Sequence, residues 1–183
     1  MRFDGGRPCL DLVATWSART PYERLVTPED LRTWLVGAGV LPAPAARRLD
    51  VAQCLGPFRA LRATLTVLVE AAMSGAAADP ADVAALNAAA RAAPAPVPQA
   101  VRRDDGTLVL AAGAAPTRES LLAAVARDGV ALLTDAPACG LLRSCEAADC
   151  ATVYLDTSRG RRRRWCSSEV CGNRERVARH RRR

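Results

Sequence analysis

Four cysteines in the last quarter of the chain repeat one spacing: Cys145-x4-Cys150 is followed, after fifteen residues, by Cys166-x4-Cys171. Structural zinc is held by four ligands in a tetrahedron, and two short cysteine loops can supply two thiolates each. Four cysteines fill the coordination shell, so such a zinc has no open position for water and would be structural rather than catalytic. Four unrelated thiols or two disulfides are the alternative interpretation. The spacing predicts one structural zinc with these four residues as its ligands.

The residues between and after the cysteines predict how the chain returns to the metal. Residues 153–156 have the composition of a strand, residues 157–160 that of a turn, and residues 161–165 would form a returning strand that delivers Cys166. Ser167 or Ser168 can cap a helix that runs to about residue 182. This layout is a treble-clef-like zinc finger. With few large apolar side chains, it needs the metal to stay folded.

The positive charge of the chain is concentrated in this same segment. Residues 143–183 carry 12 arginines and 5 acids, a net charge of +7, whereas residues 1–142 carry 14 of each. A neutral body with a cationic end predicts an anionic polymer or an anionic membrane surface as partner. Guanidinium groups bind phosphates bidentately and also bind guanine edges, so these arginines are candidates for contacts with a nucleic acid. The candidate nucleic-acid-binding residues are Arg161, Arg162, Arg163, Arg164, Arg174, Arg176, Arg179, Arg181, Arg182 and Arg183.

Several residues of the finger allow a second interpretation. A basic C-terminus can simply be solvated, and Arg174, which is tied to the turn at Cys171, can brace the finger internally. Trp165 adjoins a zinc ligand, which favours a place in the small core of the finger over a surface for stacking bases. His180 is the only histidine, and because four cysteines already satisfy zinc, we expect it to be solvated or to contact phosphate.

Residues 1–137 predict a mainly α domain with a small β-hairpin, an α+β arrangement. The chain contains 38 alanines, and small side chains suit closely packed helices. Thr27-Pro28 and Asp79-Pro80 have the pattern of a cap followed by proline, and Thr117 caps a further helix. A long helical stretch covers residues 44–73 with a break or kink at Gly56-Pro57, and residues 101–110 form a hairpin around Asp105-Gly106.

Other residues of this first domain have structural interpretations. We expect Trp16 and Trp34 to anchor its core, and Asp11, which lies between two leucines, to pair with Arg32 or a backbone N–H group because a buried acid needs a partner. Recognition of a ligand by Asp11 is the alternative. The domain boundary is placed near Pro137, with a helical domain over residues 1–137 and a zinc finger over residues 138–183.

Catalysis and membrane insertion are both disfavoured by the sequence. Cys9 and Cys54 lie in apolar surroundings, the lone histidine is in the other domain, and no acid–base pair or phosphate loop is visible, so we expect no enzyme activity. No apolar run approaches the roughly 20 residues of a membrane span, and the first residues lack the features of a signal peptide. The expected location is the cytoplasm, in association with the nucleoid, with no membrane partner.

The finger segment resembles the bacterial CGNR zinc-finger family. The resemblance rests on Cys171-Gly172-Asn173-Arg174, on the preceding Arg164-Trp165-Cys166-Ser167, and on an aromatic-x-Asp-x-Ser stretch at Tyr154, Asp156 and Ser158. In that family four cysteines bind zinc, and they match Cys145, Cys150, Cys166 and Cys171. The resemblance covers residues 142–183.

The N-terminal segment is similar to the ABATE-type domain that precedes this finger in the family. Gly6, the stretch Cys9-Leu10-Asp11-Leu12, Thr15 and the later Leu31-x-x-Trp34-Leu35-x-x-Ala38-Gly39 follow the pattern, while Ala14 stands where the family usually has asparagine. The resemblance implies a DNA-binding transcription regulator, often described as stress-induced. Its N-terminal domain would sense a signal, through a small-molecule effector, or form a homodimer. The remaining alternatives are a zinc protein that binds RNA or the ribosome and a protein-interaction module with a purely structural zinc.

Overall fold

The computed structural model describes residues 1–18, 21–47, 49–95, 99–110 and 116–181. Its first half is helical apart from one short strand pair. Strands β1 and β2 are antiparallel, with Trp16 opposite Glu23. The elements in chain order are α1 (Pro8–Val13), β1 (Trp16–Ser17), β2 (Tyr22–Glu23), α2 (Pro28–Gly37), α3 (Ala43–Ala46), a 3-10 turn (Ala52–Cys54), α4 (Leu55–Ser74) and α5 (Pro80–Arg91).

The second half combines one long helix with two further antiparallel strand pairs. The pair β3–β4 forms the predicted hairpin, in which Gly106 takes a left-handed φ of 86°. The pair β5–β6 opens the cysteine-rich segment, with Arg143 opposite Tyr154. The elements are β3 (Ala100–Arg102), β4 (Leu108–Leu110), α6 (Arg118–Leu133), α7 (Ala136–Cys139), β5 (Leu142–Ser144), β6 (Val153–Leu155), a π-helical turn (Ser168–Gly172) and α8 (Asn173–Arg181).

The predicted helix starts are confirmed by their caps. At α2, the Thr27 hydroxyl accepts the Asp30 N–H (3.2 Å), and the Asp30 carboxylate accepts the Thr27 N–H (2.7 Å). Asp79 accepts the Ala81 N–H at the start of α5, and Thr117 accepts the Ser120 N–H at the start of α6. Each interaction satisfies a backbone donor that the helix itself leaves free.

The helical stretch predicted over residues 44–73 is interrupted, but before residue 55 rather than at Gly56-Pro57. The chain forms the short α3, a 3-10 turn and then α4, and the Asp50 carboxylate accepts the Ala52 N–H where the chain turns back. Gly56 and Pro57 do not break the helix. They lie in the first turn of α4, where proline removes an N–H group that has no partner within the helix.

Small residues allow the central helices to approach closely. A Cβ atom at Gly129 of α6 would lie 2.5 Å from a methyl group of Leu65 on α4, and Ala123 and Ala126 on the same helix are fully buried. Phe58 of α4 packs edge-on against Trp34 of α2 at a centroid distance of 5.9 Å. The alanine-rich composition therefore produces a core of closely packed helices, as expected from the sequence.

Two predictions about individual core residues have opposite outcomes. Trp34 is fully buried, but Trp16 is 42% exposed, because strand β1 turns Ser17 inward and Trp16 outward. Asp11 is buried and accepts the Gly5 N–H at 2.9 Å, which is the backbone alternative for its partner. Arg32 pairs instead with Glu29, at 3.0 Å.

The cysteine-rich segment packs directly on the helices. Leu142 and Val153, one from each strand of the β5–β6 pair, belong to the same buried cluster as Leu10 and Leu65. The Leu155 N–H also donates to the Gly5 carbonyl at 3.1 Å. Within the described residues, no helix combines the length and apolar character that a membrane crossing requires.

Candidate metal centre and arginine surface

The four predicted cysteines meet in one buried cluster. Cys145 and Cys150 lie in the loop between β5 and β6, Cys166 precedes the π-helical turn, and Cys171 lies within it. Their sulfur atoms all lie within 4.8 Å of one another. The distances from Cys166 Sγ to the sulfurs of Cys150 and Cys171 are 3.7 and 3.6 Å. A tetrahedron with Zn–S bonds of about 2.3 Å has sulfur–sulfur edges of about 3.8 Å, so this cluster has the size and chemistry of a closed structural zinc site.

The thiols of this cluster do not titrate independently. A hydrogen bond from Cys166 lowers the pKa of Cys150 to about 4, and the same interaction raises the pKa of Cys166. Burial raises the pKa of Cys145. A divalent cation bound among the sulfurs would favour the thiolate form of all four and displace their protons.

Arg2 contributes a contact to the cluster that the sequence analysis missed. Its guanidinium donates to Cys166 Sγ at 3.2 Å and to Cys171 Sγ at 3.3 Å, while its Nε donates to the Asp4 carboxylate at 2.8 Å. Because a zinc site with four thiolates carries net negative charge, a guanidinium on two of its sulfurs compensates that charge. No local pattern indicates the contact, since Arg2 is 169 residues away from Cys171.

The aromatic-x-Asp-x-Ser stretch holds the loop that follows it. The fully buried Asp156 accepts the Ser158 N–H (3.0 Å) and hydroxyl (2.5 Å) on one carboxylate oxygen and the Arg163 N–H (3.0 Å) on the other. The Tyr154 hydroxyl donates to the Arg163 carbonyl at 2.5 Å. The Ser158 hydroxyl keeps the pKa of Asp156 below its usual value. The motif therefore fixes both ends of residues 158–163, which we call the arginine loop.

The predicted returning strand over residues 161–165 is wrong. No strand is assigned there, and β6 pairs with β5 instead. Arg161 has a left-handed φ of 48°, which interrupts an extended run, and the Asp156 carboxylate takes the Arg163 N–H that a strand ladder would use. The alternation of side chains between two faces of a strand consequently does not apply to these arginines.

Gly172 of the CGNR stretch makes room for Trp165. A Cβ atom at Gly172 would lie 3.2 Å from the Trp165 ring. Trp165 packs half-buried against the cysteine cluster, which agrees with its expected place in the core of the finger. Of the two predicted caps, Ser167 accepts the Val170 N–H at the start of the π-helical turn, and Cys171 lies in that turn.

Three of the candidate arginines serve the finger itself. Arg163 donates to the carbonyls of Trp165 and Cys166 and covers the Tyr154 ring at 4.7 Å. Arg164 pairs with Glu146 at 2.6 Å, and Arg174 pairs with Asp149 at 2.7 Å. Arg174 thereby braces α8 against the first cysteine loop, the structural alternative of the sequence analysis. Arg164 and Arg174 therefore have acidic partners, and Arg163 is held by backbone carbonyls.

The remaining arginines of the segment are exposed and available. Within the part of the chain that the structure describes, Arg176 donates only to the Ser168 carbonyl, at 3.3 Å. Among the described residues, no ion pair or side-chain hydrogen bond involves Arg161, Arg162, Arg179 or Arg181. Arg159, which the sequence analysis did not select, is exposed on the same arginine loop. Arg182 and Arg183 lie outside the described residues.

The other singled-out residues lie away from the cluster. His180 is exposed on α8. Cys9 and Cys54 are buried, and desolvation raises the pKa of both thiols. Cys139 is half-buried, with its thiol 3.3 Å from the Leu132 carbonyl. High pKa values make these thiols weak nucleophiles.

Comparison with known families divides the chain just before strand β5. A family model for ABATE, described as "Putative stress-induced transcription regulator", matches residues 6–136. A model for the CGNR zinc finger matches residues 142–183. A comparison with curated proteins finds no match.

Proposed function

This chain belongs to the ABATE family and carries a CGNR zinc finger, and on that basis we propose that it regulates transcription by binding duplex DNA through the finger. In this proposal the protein binds DNA and catalyses no reaction. It would act in the cytoplasm, at the nucleoid, and its N-terminal domain would sense a signal or form a homodimer.

The observation that carries the proposal is the division of the arginines. Arg163, Arg164 and Arg174 are used inside the finger, whereas Arg161 and Arg162 are exposed and without an acidic partner among the described residues. A loop anchored by Asp156 beside a closed zinc site holds their backbone in place. An anchored loop loses less conformational entropy on binding than a free basic tail does, so these charges are suited to contact phosphates or base edges.

The amount of available charge sets the expected dependence on salt. Six arginines of the described finger are exposed and without an ion pair, and if all six contacted phosphates the log–log salt slope would be about −5.4. One zinc finger buries only about 600–1,000 Å² on DNA. Useful sequence selectivity would therefore favour two copies of the finger, and this supports dimer formation by the N-terminal domain.

The test is a titration of the whole chain against duplex DNA and structured RNA at two salt concentrations. The double variant Arg161→Ala/Arg162→Ala should weaken DNA binding and reduce the slope by about 1.8. Arg102→Ala/Arg103→Ala is the matched control, because it removes the same charge from the remote, exposed β3–β4 hairpin. An equal loss of DNA affinity in both double variants would reject a role for the arginine loop. Tighter binding to RNA than to duplex DNA would favour the RNA-binding alternative.

A selection from a random duplex pool separates sequence reading from phosphate binding. Single alanine substitutions at Arg161, Arg162 and Arg176 should include at least one that lowers discrimination between selected and random DNA by about 1–3 kcal/mol. Substitution of Arg181 should weaken binding to both duplexes alike. A uniform loss in every variant would mean that the finger acts only as an electrostatic anchor.

A further inference from the structure

A groove of about 890 Å³ lies between helix α4 and the zinc finger. Ala63 and Glu70 of α4 line one side, while Ala151 and Val153 of the finger line another. Ala151 directly follows Cys150, so a molecule in the groove would contact both the helical domain and the first cysteine loop. The volume is within the range of about 300–1,000 Å³ that is usual for small-molecule sites.

Apolar side chains form most of the wall, and three large ones are exposed. Trp16 is 42% exposed, Val67 47% and Met73 37%, and all three line the groove. The position of Trp16 is notable because β1 could have turned it into the core but turns Ser17 inward instead. An exposed indole beside aliphatic side chains suits an apolar body and offers a π face to a cation.

The charged groups of the groove are not equally available. Arg62 is buried and held by both carboxylate oxygens of Glu23, at 2.7 and 2.6 Å, and it also donates to Thr15. Arg59 donates to the carbonyls of Leu25 and Val26 and lies 3.9 Å from the same Glu23 carboxylate. Both guanidinium groups are thus held by partners within the protein, although they share one carboxylate.

Glu70 is the opposite case. It is exposed, lines the groove, and has no ion pair or hydrogen bond to its carboxylate among the described residues. Its neighbours one turn away on α4 are Thr66 and Ser74, so no cation of this helix lies within one turn of Glu70. It lies eight residues beyond Arg62, about 12 Å along the helix. Among the described lining residues, Glu70 is therefore the charged group without an ion pair, and it lies apart from the two arginines, which both contact Glu23.

We propose that this groove binds an organic cation with an apolar body, with Glu70 facing the positive charge and the Trp16 ring and aliphatic walls covering the body. An anionic ligand would meet the unpaired carboxylate and find the two arginines engaged. The inference goes beyond DNA binding, since occupancy of the groove requires no nucleic acid. Its failure would leave the proposed role of the finger untouched.

The test is calorimetric titration of the zinc-loaded full chain, without DNA. The two probes are tetraphenylphosphonium and tetraphenylborate, which have the same shape and opposite charge. Tetraphenylphosphonium should bind at one saturable site. Glu70→Gln should weaken it at least tenfold, whereas Asp104→Asn, which removes one exposed carboxylate from the remote hairpin, should not. Ala63→Leu should fill the groove and also weaken binding tenfold. Ala60→Leu, on the same helix but outside the groove, is its matched control.

Three results would overturn the proposal. One is no saturable binding of tetraphenylphosphonium. Another is an equal loss of affinity in the groove variants and their matched controls, which would indicate adsorption to the surface. The third is tighter binding of tetraphenylborate that Ala63→Leu abolishes, because the arginines would then determine the ligand. Far-UV circular dichroism of each variant shows that α4 remains folded.

Discussion

Arg2 contacts the metal centre from the opposite end of the chain. Its guanidinium donates to two of the four sulfurs, and Asp4 fixes its orientation through Nε. Groups that hold metal ligands in place from outside the coordination shell contribute to metal affinity through charge and orientation. Arg2 has both effects, since it is positive and forks across Cys166 and Cys171.

Replacing Arg2 by glutamine should therefore lower zinc affinity by about 10–100-fold. The zinc affinity of Arg2→Lys should lie between that of Arg2→Gln and that of the parent chain, because lysine keeps the charge but cannot span two sulfurs. Competition with a chromophoric chelator measures the affinity. Arg91→Gln, an exposed arginine at the end of α5, is the control, and an equal loss there would contradict the role of Arg2.

Asp11 makes stability depend on pH in an unusual direction. Burial raises its pKa to about 6, so the folded chain binds a proton more readily than the unfolded chain does. The ionised form therefore destabilises the fold at high pH, and this penalty is relieved as the pH falls through about 6.

Asp11→Asn should consequently gain stability relative to the parent chain at pH 8, and that relative advantage should shrink by about 1 kcal/mol at pH 5.5. Urea unfolding of both chains at the two pH values gives the difference. The titration of the thiols is common to both chains and cancels. A difference that does not change with pH would show that Asp11 is already fully ionised or fully neutral.

At the scale of elements, helix starts could be predicted and the arginine loop could not. Each cap joins residues at most three positions apart, at Thr27, Asp79 and Thr117. A helix start can therefore be predicted from the neighbouring sequence. Residues 161–165 look extended by composition, but their conformation depends on Asp156 and Tyr154 reaching Arg163. Which arginines remain free depends likewise on where Glu146 and Asp149 come to lie.

The same loop provides a direct test of its anchor. In Asp156→Asn, one side-chain atom can still accept from Ser158, but the amide NH₂ then faces the Arg163 N–H, donor against donor. The loop should open more often, and trypsin should cut after its arginines roughly tenfold faster. Mass spectrometry of the fragments identifies the cut. Glu169 is an exposed acid of the same finger, and trypsin should cut the Glu169→Gln variant at the rate of the parent chain. An unchanged cleavage rate in Asp156→Asn would show that Asp156 does not anchor the loop.

For the whole molecule, the cysteine spacing predicted the metal site but not how the zinc finger packs on the helices. Four ligands could be chosen from the sequence because a repeated x4 spacing is local. Contacts of Leu142 and Val153 with the helical core, and of Leu155 with Gly5, join distant segments. The domain boundary predicted near Pro137 separates two segments of the sequence, but in the fold these segments share one buried cluster.

Cys166→Ser should reduce the zinc content from about one per chain to nearly none. The helices should keep their far-UV signal, but their thermal midpoint should also fall, because the finger covers part of their core. Cys139→Ser, which lies outside the cluster, is the control and should retain zinc. Full zinc occupancy in Cys166→Ser would contradict the ligand set. An unchanged midpoint would show that the helical segment is stable by itself.

The bonds from Arg2 to Cys166 and Cys171 span 164 and 169 residues, and this has a consequence for the order of folding. Synthesis proceeds at about 5–20 residues per second, so Arg2 emerges on the order of ten seconds or more before its partners exist. The helices through α6 can assemble in that interval by contacts within their own segment. The Arg2 side chain must wait for Cys166, Cys171 and their metal, so its docking is among the last steps of folding.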